Sequence, residues 1–212
     1  MDLVLSEEQR LLQKAARDFC AARSSIKRAR ALRAEQGISR DLWKEMAQLG
    51  WLGLTIDPEH GGAGLGYRYL MVVLEELGAV LAPEPLVSTV LAGATAIEGG
   101  GEGSVQREHL PAIAAGERIF ALAHRESNGR FSLSAIDTSA EPAGGGFVLR
   151  GEKVHVEDGT VADHLIVSAR VPDGVALFVV PAAARGVEVE RQPRIDGRSC
   201  AIVRLESVSV PR

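Results

Sequence analysis

Residues 147–170 read FVLRGEKVHVEDGTVADHLIVSAR, and this stretch indicates the fold class more clearly than any other part of the chain. Both of its ends are rich in apolar and β-branched residues, which predicts short strands over 147–149 and 165–167. The residues between them include three that favour turns, namely Gly151, Asp158 and Gly159. The stretch therefore predicts neighbouring strands of a β-sheet.

The sequence before this stretch has a helical period instead. Ser6 and Gln9 have the spacing of a capping box, and an apolar stripe follows over a helix predicted at 7–22. Ser39 is placed to cap a second helix, whose apolar residues are Leu42, Trp43, Met46 and Leu49. The same period predicts three more helices, at 69–77, 85–97 and 105–115.

After Gly116 the period changes from helical to alternating, which predicts strands rather than helices. The strands are expected at 119–123, 147–149, 165–169, 175–180, 187–189 and 201–205. Because the helices come first and the strands second, the pattern favours an α+β fold over an alternating α/β fold. We expect a helical domain over 1–116 and a β domain over 117–212.

The composition limits the possible partners and compartments. The 212 residues are 46% hydrophobic and 25% charged, which is typical of globular domains. The formal net charge of -4 offers no general attraction to nucleic acid or to an anionic membrane. Only Cys20 and Cys200 are present, the histidines lack the spacing of a metal site, and no long apolar run or signal segment is visible. We expect a cytoplasmic protein without a metal.

Four motifs in order resemble the acyl-CoA dehydrogenase family, which oxidises acyl-CoA thioesters with FAD. They are MDLVLSEEQRLL at 1–12, LGWLGLTIDPEHGGAG at 49–64 with LEELG at 74–78, LPAIAAGERIFALA at 110–123, and the stretch quoted first. The resemblance implies a helical N-terminal domain and an antiparallel, β-barrel-like middle domain. In the family a C-terminal four-helix bundle follows and supplies the carboxylate that abstracts a proton. That bundle is absent from these 212 residues, so we assign no catalytic residue.

The resemblance places one cofactor segment at 123–132, AHRESNGRFS. It implies cofactor contacts from Leu122, His124 and Arg125. The family's threonine-glutamate-proline run corresponds here to Arg125, Glu126 and Ser127, so only the glutamate is retained. Arg130 and Phe131 stand where small residues usually leave room for cofactor and substrate, and we expect these two side chains to line the substrate side.

The second cofactor segment implied by the resemblance is His155-Val156-Glu157, where the family usually has tryptophan, an apolar residue and then threonine or serine. We expect His155 and Glu157 to lie near the flavin. A carboxylate there would oppose the flow of electrons onto the ring, since a unit charge at about 4 Å matters by several kcal/mol when water is largely excluded.

These departures resemble the small subunits of heteromeric acyl-CoA dehydrogenases, in particular the pimeloyl-CoA dehydrogenase small-subunit type. The resemblance implies an incomplete partner that supports FAD-dependent α,β-desaturation of an acyl-CoA. Its partners would be acyl-CoA, a like or unlike dehydrogenase subunit, and an electron-accepting flavoprotein. Two alternatives stay open: a non-catalytic scaffold that keeps the fold, and ordinary solvated loop charges at Arg125, Arg130 and Glu157.

Overall fold

The computed structural model describes residues 4–33, 37–128 and 132–211. The chain forms two compact units: Met1–Leu86 with Gly101–Glu117, and Val87–Gly100 with Arg118–Arg212. Residues 87–100 therefore pack with the sheet although they are helical. None of the helices in the described ranges is long and apolar enough to cross a membrane.

The helices begin and end close to the predicted positions. They are α1 (Glu7–Arg23), α2 (Ile26–Arg33), α3 (Arg40–Gln48), α4 (Tyr67–Ala79), a π-helix (Val87–Ala94), α5 (Thr95–Gly100) and α6 (Gly103–Ala114). Short 3₁₀ turns lie at Trp51–Gly53 and Pro58–His60. The sequence did not predict α2, because half of its eight residues are basic and no apolar stripe marks it.

Local signals account for the first helices. The predicted capping box is present, since the Gln9 N–H donates to Ser6 Oγ at 3.2 Å and the Ser6 N–H donates to Gln9 Oε1 at 3.1 Å. Ser39 caps α3 through a bond from the Leu42 N–H at 3.2 Å. Trp43 is buried as predicted, but Leu49 is exposed because α3 ends before it can turn inward.

The second unit is a seven-stranded sheet that curls around an apolar core. Its strands are β1 (Phe120–Ala123), β2 (Ser139–Ala143), β3 (Gly146–Glu157), β4 (His164–Val171), β5 (Gly174–Pro181), β6 (Val187–Arg191) and β7 (Cys200–Pro211). The order is β1-β4-β2-β3-β7-β6, with β5 paired to β4. The predicted fold class is confirmed with one correction: the sheet is mixed, because β1 runs parallel to β4.

A β-bulge in β3 shapes the region of interest. The pairing with β7 shifts between Lys153 and Val156, and His155 within the bulge has a positive φ of 52°. Residues three apart in a regular strand point to opposite faces. The extra residue allows both Lys153 and Val156 to be buried.

The π-helix protects the edge of the sheet at β1. The Thr89 hydroxyl donates to the Phe120 carbonyl and accepts from the Phe120 N–H, both at 3.1 Å. It replaces the neighbouring strand that an edge residue lacks. Gly93 lies against the same strand, where an added Cβ would come within 2.9 Å of the Phe120 Cβ.

Candidate functional site

The structure brings together the two segments predicted to face a cofactor. The segment after β1 and the end of β3 are joined by a bond from the Val154 N–H to the Arg125 carbonyl at 2.9 Å. Leu122 lies half-buried on β1 in register with Ile166 of β4. Arg130 and Phe131 lie outside the described residues.

A buried ion pair fixes the same two segments to each other. Lys153 Nζ donates to Glu126 Oε1 at 2.7 Å, and the two side chains are 0% and 5% exposed. Lys153 also donates to Ser168 Oγ at 3.0 Å. The Glu126 carboxylate accepts from the N–H groups of Asp137 at 2.6 Å and Thr138 at 3.0 Å. Glu126 therefore has a structural use that its retention in the sequence did not reveal.

The pKa shifts of the pair follow from this setting. Burial lowers the pKa of Lys153, an effect that the Glu126 carboxylate opposes. Burial alone would raise the pKa of Glu126, but the hydrogen bonds from Lys153 and Thr138 hold it below its ordinary value. Each group thus stabilises the charged form of the other.

His124 follows β1 and is half-buried. Burial lowers its pKa, with smaller contributions from the charges of Arg125 and Lys153, although the Leu122 backbone opposes the shift. Its Nδ1 is buried without a hydrogen-bond partner. At neutral pH His124 is therefore a neutral imidazole, which can donate one hydrogen bond but carries no positive charge.

Glu157, the carboxylate expected to oppose electron flow, has a cationic partner. Its side chain is 51% exposed and lies 3.4 Å from the Arg194 guanidinium, which also contacts Asp196 at 2.9 Å. Arg194 comes from the connection between β6 and β7, 37 residues away in the sequence. No local pattern signalled this pairing, so sequence reasoning missed it.

Asp158 is the most buried carboxylate of this turn, at 2% exposed. Its Oδ2 accepts from Ser88 Oγ of the π-helix at 2.6 Å and lies 3.6 Å from Arg198, while its Oδ1 is buried without a partner. Burial raises the pKa of Asp158, against the opposing effects of Arg198 and Ser88. The sequence assigned Asp158 only to a turn and gave no sign of its burial.

Hydrogen-bond donors decide how well these segments suit a flavin, whose ring becomes anionic on reduction and needs donors nearby. Four backbone N–H groups around the turn already have acceptors. Val154 donates to the Arg125 carbonyl, His155 to Gln192 Oε1 at 3.2 Å, Asp158 to the Ser199 carbonyl at 3.0 Å and Gly159 to the Val156 carbonyl at 3.1 Å. Glu157 can only accept when ionised. These four backbone N–H groups are therefore not available to the electron-accepting part of a flavin ring.

A metal centre finds no support in the part of the chain that the structure describes. No group of three or more His, Cys, Asp or Glu residues there is placed to hold an ion. Cys20 and Cys200 are both free and buried.

Family models match both units of the chain. The model described as "Acyl-CoA dehydrogenase, N-terminal domain" matches residues 6–117, and "Acyl-CoA dehydrogenase, middle domain" matches 121–208. Mitochondrial isovaleryl-CoA dehydrogenase of Pongo abelii is 33% identical over 188 residues, covering 86% of this chain and 43% of that protein.

Solved structures are similar to this chain over nearly its full length. A variant of the Tcur3481-Tcur3483 steroid ACAD superposes with a TM-score of 0.87 and 38% identity, covering 97% of this chain and 56% of that one. The ChsE4-ChsE5 complex of Mycobacterium tuberculosis gives a TM-score of 0.89 and 27% identity, covering 100% and 57%. The chain spans about half the length of the relatives that it matches.

Proposed function

The chain belongs to the acyl-CoA dehydrogenase family, and we propose that it acts as a partner subunit that supports FAD-dependent α,β-desaturation of an acyl-CoA thioester. In this proposal the proton-abstracting carboxylate and the donors to the reduced flavin come from outside these 212 residues. The chain contributes a rigid wall for the cofactor region and a surface for assembly.

One observation carries the proposal: the turn that ends β3 bears a half-exposed carboxylate, Glu157, at the position where the family resemblance implies a hydrogen-bond donor. Arg194 compensates part of that charge. The backbone N–H groups of Val154, His155, Asp158 and Gly159 already have acceptors within the chain. A supporting subunit explains why the fold is kept while this part of the site is altered.

The proposed wall of the cofactor region consists of the segment after β1 and the end of β3, which a buried ion pair joins. Lys153 and Glu126 hold the two segments at a fixed separation, and Ser168 and Thr138 anchor the pair to β4 and to the approach to β2. A buried, fully hydrogen-bonded pair restricts the motion of the groups that it joins. Leu122, His124, Arg125, His155 and Glu157 would therefore border the cofactor region, with Arg130 and Phe131 on the substrate side.

The partners follow from the same proposal. A second dehydrogenase chain, like or unlike, would complete the flavin site, and an electron-accepting flavoprotein would reoxidise it. Support comes from a structural neighbour that is itself a complex of two named proteins, ChsE4 and ChsE5.

Purification of the chain on its own tests the proposal. We expect a protein without the absorbance of bound flavin near 450 nm, even after incubation with FAD, and without dye reduction in the presence of acyl-CoA substrates. A stoichiometric yellow flavin together with turnover would contradict it.

The scaffold alternative is separated by co-purification. A partner chain whose complex with this protein gains flavin absorbance supports the subunit role. A stable complex that stays free of flavin when FAD is supplied favours a scaffold. The buried Glu126–Lys153 pair is equally compatible with the scaffold, because it joins two segments of the sheet unit in either role.

A further inference from the structure

Helix α2 is unusual among the helices of its unit because none of its residues is buried. It has eight residues, IKRARALR, of which four are basic and none is acidic. A helix this short is marginal in water unless tertiary packing supports it. Something other than burial must therefore account for its sequence.

An ion pair anchors the inner face of α2 to the unit. Arg28 pairs with the carboxylate of Glu84, whose side chain is 0% exposed. Ser25 Oγ accepts from the Arg28 N–H at 3.2 Å at the start of the helix. Ala29 and Leu32 are half-buried on the same side.

The outer face combines cations with one aliphatic side chain. At 100° per residue, the exposed residues 26, 27, 30 and 33 occupy one side of the helix. They are Ile26, Lys27, Arg30 and Arg33. Ile26 is 47% exposed and lies between the basic side chains.

Two cations of this face, Lys27 and Arg30, differ from most of those in α1. Lys14, Arg17 and Arg23 of α1 each pair with a carboxylate. Lys27 and Arg30 contact no carboxylate among the residues that the structure describes. They are three positions apart, where like charges destabilise a helix by about 0.2–0.5 kcal/mol per pair.

We propose that the outer face of α2, formed by Ile26, Lys27, Arg30 and Arg33, is a docking surface for an acidic protein segment that also carries an apolar side chain. Carboxylates of the partner would relieve the repulsion between the cations, and Ile26 would lose its exposure to water. This inference does not depend on whether the protein supports flavin chemistry.

The chemistry of the face selects an acidic protein over other polyanions. Phosphate binding to nucleic acid depends on cations alone and would not require an exposed isoleucine. A membrane surface requires a larger apolar face than a single aliphatic side chain on two helical turns. Carboxylates around one apolar contact match the face in both respects.

The test uses the whole chain and a fluorescein-labelled peptide designed with four glutamates and two leucines on one helical face. Fluorescence anisotropy would measure binding at low and at moderate salt. We expect salt-sensitive binding that falls by about tenfold or more in K27E/R30E and by about fivefold in I26S, because burial of an aliphatic side chain contributes roughly 1 kcal/mol or more.

The matched control is R10E/K44E, which changes the net charge by the same amount at two exposed cations of α1 and α3. It should bind the peptide within about twofold of the unaltered chain once general charge repulsion is screened. Circular dichroism would verify that every variant stays folded.

Three outcomes would overturn the proposal. They are no binding of the peptide, an equal loss in R10E/K44E and K27E/R30E, and preferred binding to heparin fragments or phosphatidylserine vesicles that I26S leaves unchanged. The last outcome would identify a phosphate-bearing partner instead of an acidic protein.

Discussion

The substitution Lys153→Met tests whether the buried ion pair holds the sheet unit together. The change removes the cation but leaves the Glu126 carboxylate buried, with the backbone N–H groups of Asp137 and Thr138 as its remaining donors. Removal of one partner of a buried pair typically costs about 3–5 kcal/mol, because the other charge stays uncompensated. We expect a loss of that size in the free energy of unfolding of the sheet unit.

The double variant K153M/E126Q separates the charge from the packing. Glutamine keeps a carbonyl that can accept from the Thr138 N–H but has no charge to compensate. We therefore expect the double variant to be more stable than Lys153→Met alone, with a coupling energy of about 1–3 kcal/mol. Lys14→Met is the matched control, since its pair with Asp18 is exposed and should contribute less than about 0.5 kcal/mol.

Acid unfolding gives an independent check on the same pair. The folded pKa of Glu126 is below its ordinary value. Its contribution to stability is therefore present above the unfolded pKa and is lost as the pH falls through the folded one. In E126Q this part of the acid transition should vanish.

The assay is urea denaturation with hydrogen exchange of peptides from β3 and β4, because both tryptophans, Trp43 and Trp51, lie in the helical unit and do not report on the sheet. A Lys153→Met variant whose β3 peptides keep the protection of the unaltered chain to within about 1 kcal/mol would refute the reasoning. Salt should have little influence, since screening acts weakly on buried pairs.

Three further substitutions, two of them with a control variant, test the packing of the π-helix and the Asp158 turn by urea denaturation. Asp158→Asn should raise the urea midpoint at pH 8 and leave it unchanged near pH 3. Burial raises the folded pKa of Asp158, against the opposing effects of Arg198 and Ser88. The stability contributed by the Asp158 proton is therefore present below the unfolded pKa and is lost as the pH rises through the folded one. A midpoint lowered at both pH values would contradict this prediction. Thr89→Val removes the hydroxyl that bonds the Phe120 N–H and carbonyl, and should lower the free energy of unfolding by about 2–4 kcal/mol. Thr89→Ser keeps the hydroxyl and should lower it by less than about 1.5 kcal/mol. Equal losses in the two variants would argue against the edge-capping role. Gly93→Ala places a Cβ 2.9 Å from the Phe120 Cβ and should lower the free energy of unfolding by about 1–3 kcal/mol. In Gly99→Ala of α5 the added Cβ has nothing within 4 Å, and this control should be neutral or stabilising. A neutral Gly93→Ala would mean that the contact relaxes without cost.

Sequence patterns predicted the elements whose signals lie within a few residues of one another. The capping box of Ser6 and Gln9 predicts the start of α1. The change in the period of the apolar residues near Gly116, from helical to alternating, separates the helices from the strands. Such signals can be read because capping bonds and side-chain periodicity are local properties of the backbone. The motif order was equally readable, and the family models confirm it.

The arrangement of the charges in the site depends on the tertiary structure. Lys153 forms an ion pair with Glu126, 27 residues away in the sequence, and Arg194 forms one with Glu157, 37 residues away. Both pairs depend on strand register, and the bulge at His155 sets which side chains of β3 are buried. A shift of one residue would turn Lys153 to the other face. The type of each residue was visible in the sequence, but its partner was not, because pairing is fixed by long-range register and packing rather than by neighbouring residues.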